Sequence, residues 1–336
     1  MGVTIRDVAK EAGVSATTVS RVFNHEDLVT EKTRERVRRI AREMGYQPNA
    51  TAKSLSHGRT DAIGIVLPAP HGEFFSEIIR GVDEVAQASG HYLLISSSHY
   101  SFSESEAAFQ ALQGRVDGLL VMTTHVRAKA LLESVSMDIP MVLINTALSD
   151  VSYDAFDIEN RSGARKVVDH LLDQGYESIG VIEGPLKSFD VQERLQGHRD
   201  ALEAAGIDPD AQVRIEGDFT QESGYAAGKE LLKLDRLPDA VFALNDYMAI
   251  GAMAALQEAG VRIPADLAIA GFDDIPSARY ASPSLTTVRI PVYDLGRCAA
   301  ERLLRRIHRD PVDEPRAQTL PSELKVRAST VQYVKK

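Results

Sequence analysis

Residues 4–24 constrain the fold of this chain most strongly, because they have the pattern of two short helices joined by a tight turn at Ala12-Gly13-Val14. Thr4 and Ser15 stand where a side-chain oxygen can accept a hydrogen bond from the free N–H groups of a first helical turn. Apolar residues recur at helical spacing in both segments, so each helix has one face to bury against the other. The pattern predicts a helix-turn-helix unit, and an ordinary helical hairpin is the alternative.

A third helix is predicted directly after this pair. Thr30 stands at a capping position, and the helical pattern that follows stops at Gly45, with Pro48 just beyond. Residues 1–60 contain 11 Lys and Arg against 7 Asp and Glu, a net charge of +4, whereas the whole chain has a net charge of −10. A small cationic head on an acidic body is expected when the head meets nucleic acid and the body does not.

Composition excludes several classes of protein. The 336 residues suffice for two or three domains, with hydrophobic (44%) and charged (26%) fractions ordinary for a globular protein. The single cysteine, Cys298, excludes a disulfide framework within the chain, and we find neither zinc-ligand spacing nor a cofactor motif. We therefore expect no cofactor and no metal. We find no signal peptide and no stretch of membrane-spanning length, so we expect a cytoplasmic protein that does not contact a membrane.

Residues 49–60 read as a linker that can form a short helix, capped by Asn49 and ended by Gly58. A helix of about two turns is marginal in water, because nucleation costs more than a few hydrogen bonds return. We therefore expect this segment to fold only when another surface packs on it. A flexible linker is the alternative.

From Asp61 onward, continuous apolar runs alternate with amphipathic helical segments. Such runs indicate strands buried on both faces, and hence parallel sheets flanked by helices. The run Ile63-Gly64-Ile65-Val66 is echoed by Ile179-Gly180-Val181-Ile182, which predicts two similar doubly wound α/β lobes in tandem. Ligands bind at the carboxyl ends of such strands, so a cleft is expected between the lobes. We expect helices near 73–89, 103–113, 126–134 and 247–259.

At this point the whole chain resembles the lactose-repressor (LacI/GalR) family of bacterial transcription regulators. The shared motifs include Thr4-Ile5-Arg6-Asp7-Val8-Ala9, Gly45-Tyr46-Gln47-Pro48-Asn49, Val116-Asp117-Gly118-Leu119 and Gly271-Phe272-Asp273-Asp274. The resemblance implies a three-helix helix-turn-helix DNA-binding head over 1–48 and a hinge over 49–60. It also implies a periplasmic-binding-protein-like (type I) ligand-binding and dimerisation domain over 61–336. The first lobe of that domain is expected at about 61–158 and 292–320, and the second at about 159–291 and 321–336.

The resemblance further implies a repressor that binds a near-palindromic operator in double-stranded DNA as a homodimer. Ala16 and Thr17 stand where the family varies its base-reading side chains, and Arg21 is similar to its base-contacting arginine, whose guanidinium can pair with guanine. Leu55 matches a leucine that wedges into the minor groove. A solvated helix face is the alternative for Arg21, and a packing role is the alternative for Leu55. The other candidates for DNA contact, mainly to phosphate, are Thr4, Ser15, Thr18, Ser20, Asn24, Thr30, Thr33, Asn49 and Ala52.

By the same resemblance, the cleft binds a small-molecule effector, which we expect to be a sugar or a sugar derivative. Phe219 matches an aromatic residue that lies against the ligand ring, and Arg194 and Asp273 match polar residues that bind ligand oxygens. Ile290 stands where a polar residue is common in the family, which removes a hydrogen-bonding option near the cleft. The other effector-binding candidates are Phe74, Phe75, Asn145, Asp190 and Asn245.

Each effector candidate also has a structural alternative. Asn245 can simply cap the helix that follows it, and Asp273 can belong to a turn. Arg194 can sit in a surface ion pair. Phe74 and Phe75 can belong to the core.

The sequence disfavours two other classes of function. An enzyme on a Rossmann-like scaffold is disfavoured, because the chain has no G-x-G-x-x-G after a strand, no P-loop and no nucleophile elbow. A transport binding protein is disfavoured by the DNA-binding head and by the lack of a signal peptide. For a repressor, we expect effector binding and operator binding to be coupled through the hinge. Release by an inducer and recruitment by a corepressor both remain open.

Overall fold

The computed structural model describes residues 3–24, 26–46, 59–69, 72–99, 101–122, 139–146, 153–310 and 317–331. Contacts divide the chain into two units: one combines Met1–Ala62 with Gly114–Asp117, and the other combines Ile63–Gln113 with Gly118–Lys336. The helix expected near 126–134 lies outside the described residues. The hinge candidates Asn49, Ala52 and Leu55 also lie outside them.

Three helices form the head at the start of the first unit: α1 (Ile5–Ala12), α2 (Ala16–Asn24) and α3 (Glu31–Glu43). One buried cluster joins them, and Val8, Val19, Val22 and Val37 at its centre are completely buried. Each helix contributes residues spaced three or four apart, which is the spacing of one helical face. The three-helix head predicted from the apolar pattern is therefore present.

Side-chain caps begin the first two helices but not the third. Thr4 and Asp7 form a capping box at α1, and Ser15 Oγ accepts a hydrogen bond from Thr18 N at 3.0 Å at α2. Thr30 makes no side-chain cap, because its hydroxyl lies 3.1 Å from the hydroxyl of Thr33. The prediction of a Thr30 cap is wrong, since a neighbouring side chain occupies the hydroxyl instead.

The turn between α1 and α2 depends on Gly13. Its φ is +62°, a left-handed conformation that glycine adopts without a Cβ penalty. Val14 N then donates to Ala9 O at 3.0 Å, which satisfies a carbonyl at the end of α1. A helix-turn-helix motif needs this abrupt change of direction.

A six-stranded sheet forms the first lobe. Its strands are β1 (Ala62–Leu67), β2 (Tyr92–Ser97), β3 (Gly118–Met122), β4 (Met141–Ile144), β5 (Asp154–Ile158) and β11 (Ala317–Leu320). The strand order is β11-β5-β4-β3-β1-β2, and the pairings β1–β3, β3–β4, β4–β5 and β5–β11 are parallel. The helices of this lobe are α4 (Gly72–Ala88), α5 (Phe102–Leu112) and α11 (Val292–His308).

A second six-stranded sheet forms the other lobe. Its strands are β6 (Ile179–Ile182), β7 (Arg214–Ile215), β8 (Ala240–Ala243), β9 (Ala268–Asp273), β10 (Thr286–Arg289) and β12 (Glu323–Lys325). The order is β12-β10-β9-β8-β6-β7, and only the β10–β12 pairing is antiparallel among the pairings of these described strands. The helices are α6 (Asn160–Asp173), α7 (Phe189–Ala204), α8 (Gln221–Leu231), α9 (Asp246–Glu258) and α10 (Pro276–Tyr280).

The predicted fold class, a helix-turn-helix head followed by two doubly wound α/β lobes, is confirmed. All six residues of β1 and all six of β9 are buried, as expected for strands covered by helices on both faces. The edge strand β2 differs, since Tyr92 is 76% exposed and Ile95 is 45% exposed. Within the described ranges, no helix is long and apolar enough to cross a membrane.

Candidate functional site

The outward face of α2 carries the side chains expected to read DNA bases. Thr17 and Arg21 are exposed, whereas Ala16 is half-buried against the head core. Arg21 makes no ion pair with any residue that the structure describes, so its planar fork of N–H donors faces solvent. This face therefore offers one bidentate donor beside a short hydroxyl side chain.

Several residues expected to contact phosphate also hold the head helices in place. Thr4 caps α1, the Ser15 and Thr18 hydroxyls lie 2.9 Å apart at the start of α2, and Thr30 bonds to Thr33. Ser20 is half-buried on α2, and the side chain of Asn24 is outside the described part of the chain. A hydroxyl that caps a helix remains at the surface, so these local roles leave phosphate contact open.

Helix α3 adds a cationic surface that the motif search did not single out. Lys32, Arg36, Arg38, Arg39 and Arg42 are all exposed along it. Such a row attracts a polyanion irrespective of its sequence. The excess of positive charge in the head is thus concentrated on this helix.

A cavity of about 590 Å³ lies between the two lobes of the second unit. Most candidate effector residues line it: Phe74, Phe75, Asp190, Arg194, Phe219, Asn245 and Asp273. Met122 and Asp273 end β3 and β9, so the cavity opens at the carboxyl ends of the strands, where doubly wound sheets bind ligands. Its volume is within the usual range for a small-molecule site. Within the described residues, no group of His, Cys, Asp and Glu could hold a metal ion.

Arg194 is the polar centre of this cavity and is only 3% exposed. Its Nε donates to Asn160 Oδ1 at 2.8 Å, its Nη1 donates to Leu244 O at 2.5 Å, and its Nη2 lies 3.4 Å from Asp273 Oδ1. The guanidinium also stacks 3.8 Å from the centroid of the Phe272 ring. The alternative that Arg194 sits in a surface ion pair is therefore wrong.

Asn145 is the one effector candidate that does not line the cavity. It follows β4 in the first lobe, and its Nδ2 lies 2.9 Å from Asp190 Oδ1 and 3.0 Å from Asp190 Oδ2 in the second lobe. Asn160 Nδ2 donates to the same carboxylate at 2.9 Å. Asn145 thus orients Asp190 and forms a hydrogen bond across the cleft.

Asp273 carries an unsatisfied oxygen in this buried site. Its Oδ1 has no hydrogen-bond partner among the described residues, because the 3.4 Å contact with Arg194 is an ion pair without hydrogen-bond geometry. Burial raises the pKa of Asp273 to about 7, the charge of Arg194 opposes this rise, and Asp190 adds to it. A buried acceptor without a partner needs an explanation, and a ligand hydroxyl would supply one.

Strained backbone conformations cluster at the cavity. In the described chain, two non-glycine residues with positive φ do not line the cavity or adjoin it, Asp61 (+53°) and Arg309 (+58°). The other five are His99 (+44°), Asn145 (+48°), Phe219 (+73°), Asp273 (+117°) and Asp274 (+54°). His99, Phe219 and Asp273 line the cavity, Asp274 directly follows Asp273, and Asn145 bonds to Asp190 in the lining. Such conformations persist where the surrounding contacts hold them, most often at ligand sites.

Asn245 combines a lining position with a structural role. Its Oδ1 accepts a hydrogen bond from Met248 N at 2.9 Å, so it caps α9, and its Nδ2 donates to Phe219 O at 3.0 Å. The capping alternative is therefore correct, and the same side chain also holds the loop that presents Phe219. Ile290 is 3% exposed and does not line the cavity. The expectation that Ile290 removes a hydrogen-bonding option there is wrong.

Contacts at the mouth of the cavity join the lobes through residues that the motif analysis missed. Glu73 N, at the start of α4, donates to Tyr247 OH at 2.6 Å. The Glu73 carboxylate accepts a hydrogen bond from Ser277 N at 2.9 Å and another from the Ser277 hydroxyl. Glu73 and Ser277 lie 204 residues apart, and no local pattern could have paired them.

Comparison with known proteins gives consistent matches along the chain. Residues 4–49 match the lacI family of bacterial regulatory proteins, and residues 168–330 match a periplasmic binding protein-like domain. The chain is 39% identical over 308 residues to the HTH-type transcriptional repressor PurR of Proteus mirabilis, covering 90% of each chain.

Two solved structures are similar over nearly the whole chain. The lac repressor dimer bound to operator and the anti-inducer ONPF has a TM-score of 0.85 at 30% identity, covering 99% of this chain and 100% of that one. The complex of the transcriptional regulator CelR with cellobiose has a TM-score of 0.72 at 34% identity, with 97% and 99% coverage.

Proposed function

This chain belongs to the lacI family of bacterial regulatory proteins, and from that premise we propose how its parts control transcription. It is a DNA-binding transcriptional repressor and not an enzyme. We propose that two copies bind a near-palindromic operator and that a small molecule in the cavity between the lobes sets their affinity for it. The observation that carries this proposal is a cavity with an unsatisfied buried carboxylate, in one chain with an exposed helix-turn-helix face. Such a chain would work in the cytoplasm, where it meets the chromosome.

The head would lay α2 in the major groove. Arg21 is suited to donate two hydrogen bonds to guanine, while Thr17 and Ala16 would contact neighbouring base edges. Thr4, Ser15, Thr18, Ser20, Asn24, Thr30 and Thr33 would contact phosphate and fix the register. In the hinge, Leu55 would insert into the minor groove, flanked by Asn49 and Ala52.

The effector would be a sugar or a sugar derivative. Phe219 and the T-shaped pair Phe74–Phe75, whose ring centroids lie 5.2 Å apart, offer apolar faces for the C–H side of a sugar ring. Arg194 and Asp273 would bind its hydroxyl groups. The similarity to a regulator solved with cellobiose supports a carbohydrate in this position.

Effector binding and operator binding would be coupled through the angle between the two lobes. The bonds from Asn145 to Asp190 and from Glu73 to Ser277 each need the two lobes to approach this closely. A ligand that favours one angle shifts the population toward it, by no more than its difference in affinity for the two states. The lobe angle would then set the spacing of the hinges in the dimer.

Fluorescence anisotropy on an operator selected from random DNA tests this function. We expect wild-type protein to bind with a salt-dependent Kd that changes at least five-fold with one member of a panel of sugars and nucleosides. Arg21→Ala should weaken binding by about 1–3 kcal/mol. Arg236→Ala, which changes an exposed arginine of the body, is the matched control. A Kd that no panel member alters would count against the effector mechanism.

A further inference from the structure

We propose that the effector of this cavity is an uncharged molecule bearing hydroxyl groups, and that phosphorylated and other anionic compounds are excluded. The inference rests on the proposed function, because it takes the ligand of the cavity to be the effector. It goes further by selecting between two large classes of metabolite, free sugars or nucleosides on one side and their phosphate esters on the other.

The described side chains around the cavity bear more negative than positive charge. Among the described residues, four carboxylates line it, those of Asp190, Asp218, Glu222 and Asp273, against one guanidinium, that of Arg194. His99 also lines the cavity, and its side chain is exposed. Its Nε2 lies 3.8 Å from Glu104 Oε2. A phosphate group in this cavity would therefore meet more negative than positive charge.

The Arg194 guanidinium, the positively charged group described in the lining, already contacts other protein groups. Its Nε donates to Asn160 Oδ1 and its Nη1 donates to Leu244 O, while its Nη2 forms the 3.4 Å ion pair with Asp273 Oδ1. The Phe272 ring covers the guanidinium at 3.8 Å. The guanidinium is thus held in place by Asn160, Leu244 and Phe272, and its charge is balanced by Asp273, so little uncompensated positive charge remains for a phosphate group.

The unsatisfied oxygen of Asp273 favours a ligand that donates a hydrogen bond. This side chain is 8% exposed, and its Oδ1 lacks a hydrogen-bond partner among the described residues. With a pKa of about 7, Asp273 is partly ionised at neutral pH, and its ionised form accepts hydrogen bonds from a donor on the ligand. A hydroxyl group supplies that donor, whereas a phosphate dianion supplies only acceptors and adds repulsion.

Matched ligand pairs test the inference by isothermal titration calorimetry on the full-length protein. The pairs are ribose with ribose 5-phosphate, glucose with glucose 6-phosphate, and adenosine with adenosine 5′-monophosphate. We expect every skeleton that binds to bind at least about ten-fold more tightly without its phosphate. A phosphate ester that binds as tightly as its parent, or more tightly, would overturn the inference.

Inorganic phosphate is a probe that does not depend on the ligand skeleton. We expect no saturable binding of phosphate to the wild-type protein in 31P NMR titrations at constant ionic strength. Saturable binding that is lost in Arg194→Met, with the fold intact by circular dichroism, would overturn the inference. If no pair member binds and phosphate does not bind either, the charge selection stands and the sugar effector of the proposed function fails.

A charge reversal at the rim provides the matched variant. Glu222→Lys should raise the affinity for the phosphorylated member of a pair by about three- to ten-fold relative to wild type. Glu216→Lys reverses another exposed glutamate of the same lobe that does not line the cavity, and should leave the affinity unchanged. Equal effects of the two variants would show that net charge acts at long range and would overturn selection by the cavity lining.

Discussion

The buried carboxyl group of Asp273 links the effector cavity to the pH dependence of stability. Burial, opposed by Arg194, raises its pKa from 3.8 to about 7 in the folded protein. Between these two values the folded state binds more protons than the unfolded state, so the free energy of unfolding falls as the pH rises. From pH 5 to pH 8 the titration of this group alone should lower the free energy of unfolding by about 2–3 kcal/mol. Asp273→Asn should remove that slope.

Urea unfolding of wild type and Asp273→Asn at pH 5, 6, 7 and 8 measures the effect. The readout is the difference between the two proteins, because other groups titrate as well: burial raises the pKa of Asp246 and lowers that of His198 to about 4. Asp235→Asn, at an exposed position of the same lobe, is the control. Parallel pH profiles for wild type and Asp273→Asn would contradict the assignment.

Another aspartate, Asp117, holds the chain where it leaves the hinge. Its carboxylate accepts hydrogen bonds from Thr60 N at 2.7 Å, from the Thr60 hydroxyl at 2.9 Å and from Asp61 N at 2.9 Å. Asp117→Ala would leave these donors to water, and we expect trypsin to cleave after Arg59 at least about five-fold faster, because cleavage there needs local opening. Asp83→Ala, at an exposed aspartate of α4, should cleave at the wild-type rate. Equal rates for Asp117→Ala and wild type would refute this role.

At the level of elements, α4 meets the second lobe through Glu73, which bonds to Tyr247 and Ser277. These bonds belong to the conformation in which the lobes are close together. Glu73→Ala keeps the backbone bond to Tyr247 but removes the carboxylate that accepts the bonds from Ser277, so it should weaken binding of an effector that favours this conformation by about three- to ten-fold. Calorimetric titration with the ligand found by the panel measures the change. Glu77→Ala is the control, since Glu77 bonds to Arg80 on the same helix. An unchanged effector Kd in Glu73→Ala would exclude a role in closure for the bonds that the Glu73 carboxylate accepts from Ser277.

Periodicity predicted the elements well, because helices and buried strands have local signatures. The helix expected near 247–259 is Asp246–Glu258, and the one expected near 73–89 is Gly72–Ala88. The Thr30 cap failed, because a hydroxyl has several partners within reach and the sequence does not decide among them. The sequence could not predict the hydrogen bond between Asn145 and Asp190 either, because these residues are far apart in the chain. Asn145 and Asp190 meet only when two sheets are correctly placed.

Resemblance to a family indicated more of the cavity than chemistry alone did. Phe219 and Asp273 were chosen by position, and both line it. Ile290 departs from the family pattern at a position expected near the cleft, but it lies in the apolar core, because a position in a motif does not fix which way a side chain points. Glu73 bonds to a residue of the other lobe but belongs to no motif, so the sequence does not indicate its role. The parts that the sequence left open are those where two distant segments meet.

For the whole molecule, we expect two copies to join along the edge strand β2. Tyr92 and Ile95 are exposed on this strand, and Leu93 and Leu94 are only half-buried. An apolar sheet edge in water favours pairing with another surface, and the similar lac repressor structure is a dimer. Ile95→Lys should therefore shift the protein from dimer to monomer in sedimentation velocity at micromolar concentration.

Loss of the dimer should carry over to DNA binding. Two linked heads bind an operator far more tightly than one, because the second contact is intramolecular, so we expect Ile95→Lys to weaken operator binding by at least about 100-fold. Binding to a single half-site should stay within about two-fold of wild type, since the head is unchanged. Leu234→Lys, at an exposed leucine of the second lobe, is the control for an added charge. A dimeric Ile95→Lys with wild-type operator affinity would place the interface on another face of the body.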